Sequence, residues 1–187
     1  MTLSEAEKYF TAMIPGLGKI CCDGSPWVFL CGTAIIEYLS KLAFGSGGRK
    51  NFINFIKEYM PPSYSQFQYI SGQQDLPEQM YHVLRCGIVH SFSLVPDKKG
   101  KENGGRNRSI ALSHDTRDGH IQKVSTKRAP DACCLNAYEF VADLASAMRK
   151  LFKSAKVDAK VKNEITNWLK QCPPIAGDSL LKRSKSA

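Results

Sequence analysis

Two residues of this 187-residue chain combine reactive side chains with a suggestive spacing: Arg85 and His90, in the stretch DLPEQMYHVLRCGIVHSF from Asp75 to Phe92. A guanidinium presents a fixed fork of donors that matches phosphate oxygens, and it stays charged at neutral pH. An imidazole titrates near 6.5 and can take up or release a proton under the same conditions. Together they suit charge stabilisation plus proton transfer at a phosphate. On an α-helix, five residues place them roughly 140° apart around the axis. His82, Cys86 and Val89 fall between, so the pair rims a strip that is half polar and half apolar. Tyr81 and His82, within a turn of Arg85, are secondary candidates. Cys86 is a third, because a neighbouring cation lowers a thiol pKa; a small buried contact is its commoner role.

The stretch must be a helix for that spacing to matter. Leu76, Met80, Leu84 and Ile88 recur at helical intervals, with Tyr81 at the edge of the stripe. Asp75 is an N-cap, Pro77 suits the first turn, and Glu78 completes a capping-box pattern. Gly87 is the odd residue, costing about 1 kcal/mol against Ala inside a helix. It makes sense where another backbone comes close. If that backbone is the same helix of a second copy across a two-fold axis, Arg85 of one chain approaches His90 of the other.

Helical periodicity covers most of the remaining chain. Leu3 to Ile14 is expected to be a helix with Ser4 and Glu7 as its capping box, ended by Pro15, Gly16 and Gly18. Pro26 to Phe44, capped by Ser25, is apolar on most sides at its start and belongs near the centre of a bundle. Asn51 to Met60 follows and stops at Pro61–Pro62, after which SYSQFQYI holds one short turn. Asn136 to Lys153 and Val157 to Cys172 complete the helices.

Residues 93–130 differ. Pro96, Gly100, Gly104 and Gly105 accompany Lys98, Lys99, Lys101, Arg106 and Arg108, which predicts a basic loop. Its basic residues are candidates for gripping RNA, although charge runs are more often simply solvated faces. Ile110 and Leu112, then Ile121 and Val124, flank DTRDGH and predict a two-stranded hairpin packed on the bundle. Residues 173–187 form a basic tail expected to fray. The predicted fold class is therefore mainly α, an up-and-down helical bundle in a single domain of residues 1–187 with an inserted β-hairpin.

Composition sets the outer bounds. The chain carries 26 Lys and Arg against 17 Asp and Glu, a formal charge of +9, which favours polyanions such as RNA. Seven Cys residues show no C-x-x-C pair and no zinc-type Cys/His cluster, so neither a metal nor another cofactor is expected. An odd number of thiols, no signal-peptide pattern, and a longest apolar run of only Trp27 to Ile36 point to a reduced, cytoplasmic protein that does not enter a membrane. Phosphate-binding G-x-x-x-x-G-K, H-E-x-x-H and dinucleotide fingerprints are missing.

R-C-G-I-V-H, on an amphipathic helix in a helical chain, resembles the R-x(4–6)-H signature of the HEPN superfamily. The resemblance implies a bundle of four or five helices, a two-fold homodimer, and metal-independent RNA cleavage by Arg and His of both protomers. It also brings in an antitoxin or other partner protein. Only Arg85 and His90 carry over. Cys86 stands where the family usually has a polar residue such as Asn, and Phe92 where the toxin branch has Tyr. Those departures keep a second expectation open: a non-catalytic dimerisation or RNA-binding module of the same fold.

Overall fold

A computed structural model describes residues 1–69, 75–88, 110–126 and 129–173. It is mainly helical with one small sheet. The helices are α1 (Leu3–Cys22), α2 (Trp27–Phe44), α3 (Arg49–Tyr59), α4 (Pro62–Gln66), α5 (Leu76–Gln79), α6 (Ala137–Val157) and α7 (Ala159–Gln171). α5 runs directly into a π-helical segment, Met80–Ile88.

α1 extends eight residues past the expected stop and contains Pro15. The ring removes one helical N–H, yet Pro15 is exposed, so the carbonyl it orphans meets water. Leu17 and Cys21 continue the buried stripe of Ala6 and Phe10, and their burial outweighs the local penalty. The capping box is also displaced by two residues. Thr2 and Glu5 exchange the reciprocal bonds, not Ser4 and Glu7. Ser25 does serve α2, where its Oγ accepts the Trp27 N–H at 3.3 Å.

α2 is the central element. Val28, Phe29, Ile35, Ile36, Leu39 and Leu42 are buried on several of its sides, against α1, α3, α6, α7 and the π-segment. Phe29 stacks on Phe140 of α6 with ring centroids 5.4 Å apart, and Phe10 of α1 meets Phe152 of α6 at 6.1 Å. By length and composition α2 is apolar enough to cross a bilayer, but 56% of it is buried inside the protein, as in a core helix.

The sheet is where the expected pairing changes. Ile110–Ser113 (β1) does not pair with Gln122–Thr126 (β2); a third strand, Ala129–Asn136 (β3), lies between them. β2 and β3 form the antiparallel hairpin, with Val124 opposite Ala132. β1 adds in parallel, with Ile110 opposite Cys133. The reason is burial. Ala132, Cys133, Cys134 and Leu135 are all buried, and a strand covered on both faces takes the central place. Asp115 to His120 is thus a connection across β3 and not a hairpin turn.

Candidate functional site

Arg85 projects from the π-segment toward α2, where Glu37 meets it. Nε lies 2.6 Å from Oε2 and Nη2 3.0 Å from Oε1, a forked pair that fixes the guanidinium in plane and direction. Both side chains keep some contact with solvent, at 24% and 19% exposure. These hydrogen bonds to Glu37 hold the Arg85 pKa well above its ordinary value, with burial opposing. Lys41, one turn along α2, stands 3.9 Å from Glu37 Oε1 and lies over the Trp168 ring.

Three sequence candidates gather around Arg85. The Tyr81 ring lies under the guanidinium, 5.7 Å from centroid to Cζ, and packs edge-on against Phe52. Cys86 is half-buried and within hydrogen-bonding reach of both Tyr81 and Arg85. Burial raises the Tyr81 pKa, with Cys86 adding to it. His82 turns away toward α3. Its Nε2 stands 3.7 Å from Glu78 Oε2, too far for a hydrogen bond, and has no hydrogen-bond partner among the described residues. Burial lowers the His82 pKa, and Arg49 lowers it further. Arg49 itself is bound to Glu78, with Nε and Nη2 at 2.9 and 2.8 Å from Oε2.

His90, Lys98, Lys99, Lys101, Arg106 and Arg108 lie outside the described residues, as does the tail from residue 174. The 140° separation calculated for Arg85 and His90 assumed α geometry. From Met80 to Ile88 the bonds run i→i+5, so each turn holds more residues and that angle does not apply along the segment. Asp75 does cap the helix, its Oδ1 accepting the Glu78 N–H at 3.0 Å.

Sequence reasoning passed over Glu37. It is the lone carboxylate in WVFLCGTAIIEYLSKLAF, and an acid within so apolar a helix needs a cation nearby. A second polar cluster also escaped notice. Tyr64 of α4 is fully buried, with Oη 3.0 Å from His120 Nε2. That nitrogen is also 3.1 Å from Asp143 Oδ2 on α6. Burial and the Asp143 carboxylate push the Tyr64 pKa well up. Asn136, at the junction of β3 and α6, donates through Nδ2 to the carbonyls of Asp115 and Asp118 and accepts the Tyr138 N–H at Oδ1.

Among the described residues, no group of three or more His, Cys, Asp and Glu is placed to hold a metal ion. All seven Cys residues carry free thiols. No protein-family model, curated protein or solved structure matches the chain.

Proposed function

We propose that the chain is a HEPN-like, metal-independent endoribonuclease that works as a homodimer in the cytoplasm. The observation that supports this reading is the forked Arg85–Glu37 pair on a π-helical segment, because π-turns recur at functional sites and the pair pre-sets the guanidinium. His90 takes the proton of a ribose 2′-hydroxyl as that oxygen attacks the adjacent phosphorus. Arg85 balances the charge gathering on the phosphoryl oxygens. The 5′-oxygen leaves as a hydroxyl, taking its proton from the protonated His90 of the second copy, and the product ends in a 2′,3′-cyclic phosphate. The net charge of +9 favours the polyanionic substrate, and Lys98, Lys99, Lys101, Arg106 and Arg108 are assigned to gripping it.

A second reading draws on the same pair. Since Glu37 already engages Arg85 within one chain, the contact also suits a structural clamp between α2 and the π-segment. The domain would then be a non-catalytic dimerisation or RNA-binding module, docking RNA, an antitoxin or another partner protein. Incubation of the purified protein with RNA in excess chelator separates the two. The nuclease reading expects cyclic-phosphate ends by mass spectrometry, and a rate loss of about 10²-fold or more in His90→Ala with the dimer intact. Absence of cleavage, or an undiminished rate in His90→Ala and Arg85→Lys, selects the module.

A further inference from the structure

A strip of charged and aromatic side chains runs through Arg85. It starts at Lys41 and Glu37 on α2 and crosses Arg85, Tyr81 and His82 on the π-segment. It then continues through Glu78 to Arg49 and Lys50 at the start of α3. Each step is a contact: Lys41 to Glu37 at 3.9 Å, Glu37 to Arg85 at 2.6 Å, Arg85 over the Tyr81 ring. Tyr81 meets His82 edge-on at 5.5 Å, His82 stands 3.7 Å from Glu78, and Glu78 binds Arg49 at 2.8 Å. The far end opens into a hollow of about 290 Å³ lined by Arg49, Lys50, Ile53, Asn54 and Glu78. Four cations stand against two carboxylates along this line, and burial keeps His82 toward its neutral form.

We propose that this strip is the track of a single RNA strand, with Arg85 at the reacting phosphate and the Arg49–Lys50 hollow holding a phosphate further along. The inference rests on the ribonuclease reading for its choice of RNA. Its own content is the path, which is independent of residues 98–108. Helices carry the strip, so the backbone of each of its residues is set relative to Arg85, and the aromatic ring of Tyr81 sits among the charges, as aromatic rings do in single-strand sites. Lys41 and Lys50 act only through charge, since neither touches the reacting phosphate in this arrangement.

The test is fluorescence anisotropy with a labelled 2′-O-methyl RNA 12-mer, which cannot be cleaved by 2′-attack, over a salt series. The double variant Lys41→Ala/Lys50→Ala is compared with Lys8→Ala/Lys19→Ala on exposed positions of α1. The control removes the same net charge from a helix that packs chiefly on α2 and α6. The strip variant is expected to bind roughly tenfold or more weakly at low salt, with the slope of log K against log salt smaller by about 1.4. The control should change affinity by no more than about twofold. Equal losses in the two variants, or no loss in the strip variant, overturn the track. Lys50→Ala alone, at an exposed position, repeats the comparison with half the slope change. Cleavage of unmodified RNA by the native protein is scored separately. Cleavage with equal variants rejects the track and keeps the nuclease. A weakened strip variant without any cleavage keeps the track as a binding surface and rejects the nuclease.

Discussion

The backbone N–H of Asn136 donates to Nδ1 of His120 at 3.0 Å, and that contact selects the tautomer of the imidazole. Nδ1 accepts, so the ring proton is on Nε2, the nitrogen facing Asp143 and Tyr64. Nε2–H donates to the Asp143 carboxylate. The Tyr64 hydroxyl completes the group, 3.0 Å from the same nitrogen. One ring thus joins the short helix α4, the sheet and α6.

Removing that ring should cost more than removing the hydroxyl. His120→Phe strands Asp143 and the Asn136 N–H in a nearly closed site and is expected to lower stability by roughly 2–4 kcal/mol. Tyr64→Phe leaves the His120–Asp143 bond in place and should cost about 1 kcal/mol. Urea midpoints at constant m-value measure both. Equal losses would show that the imidazole does not hold the network together.

His82 gives the chain a pH dependence of known sign. Burial, then Arg49, depress its folded pKa below the ordinary 6.5, with Glu78 offsetting part of the effect. The unfolded chain therefore binds more protons as pH falls, and stability declines with it. The contribution is fully present above about 6.5 and is lost as pH drops through the lower folded value. His82→Gln should flatten the stability profile between about pH 7.5 and 5. An unchanged slope in that variant would assign the dependence to other groups.

The Arg85–Glu37 pair is neither fully buried nor fully exposed, so its energy should be intermediate. Arg85→Ala and Glu37→Ala are each expected to cost roughly 1–3 kcal/mol, between exposed and buried pairs. A double-mutant cycle should return a coupling of about 1–2 kcal/mol. Strict additivity would mean that the fork contributes no energy of its own.

Gly32 on α2 is required by shape. A Cβ at this position would land on the edge of the Phe140 ring, which is fully buried and stacked on Phe29. The ring has little room to move. Gly32→Ala should destabilise by about 1–3 kcal/mol despite the gain in helix propensity, and adding Phe140→Leu should recover part of the loss. Thermal melts of the three variants test this.

Long amphipathic helices were legible because their burial repeats along the sequence. The placement of α2 at the centre followed from its nearly unbroken apolar start. What escaped was set by partners remote in sequence. Pro15 reads as a stop until Leu17 and Cys21 are known to be covered. β3 lacks β-branched residues across Ala132 to Leu135 and shows no alternation, so nothing local marks it as the middle of a sheet. Arg85 was found from its neighbours in the chain, whereas Glu37, 48 residues away, became visible only when α2 and the π-segment were seen side by side. His120 and Asp143 lie in separate elements, and no spacing rule links them to Tyr64.

The order of strands in the sheet dictates an order of events in folding. β1 and β2 are made first, yet each finds its ladder only on β3, which follows both in the chain. Asn136 ends that strand and caps α6 with the same side chain. During synthesis, β2 can pair once residues 129–134 follow it, whereas the β1 ladder is complete only when Asn136, the partner of Ser113, has emerged. Closure of the sheet and nucleation of the helix behind it then become one cooperative step.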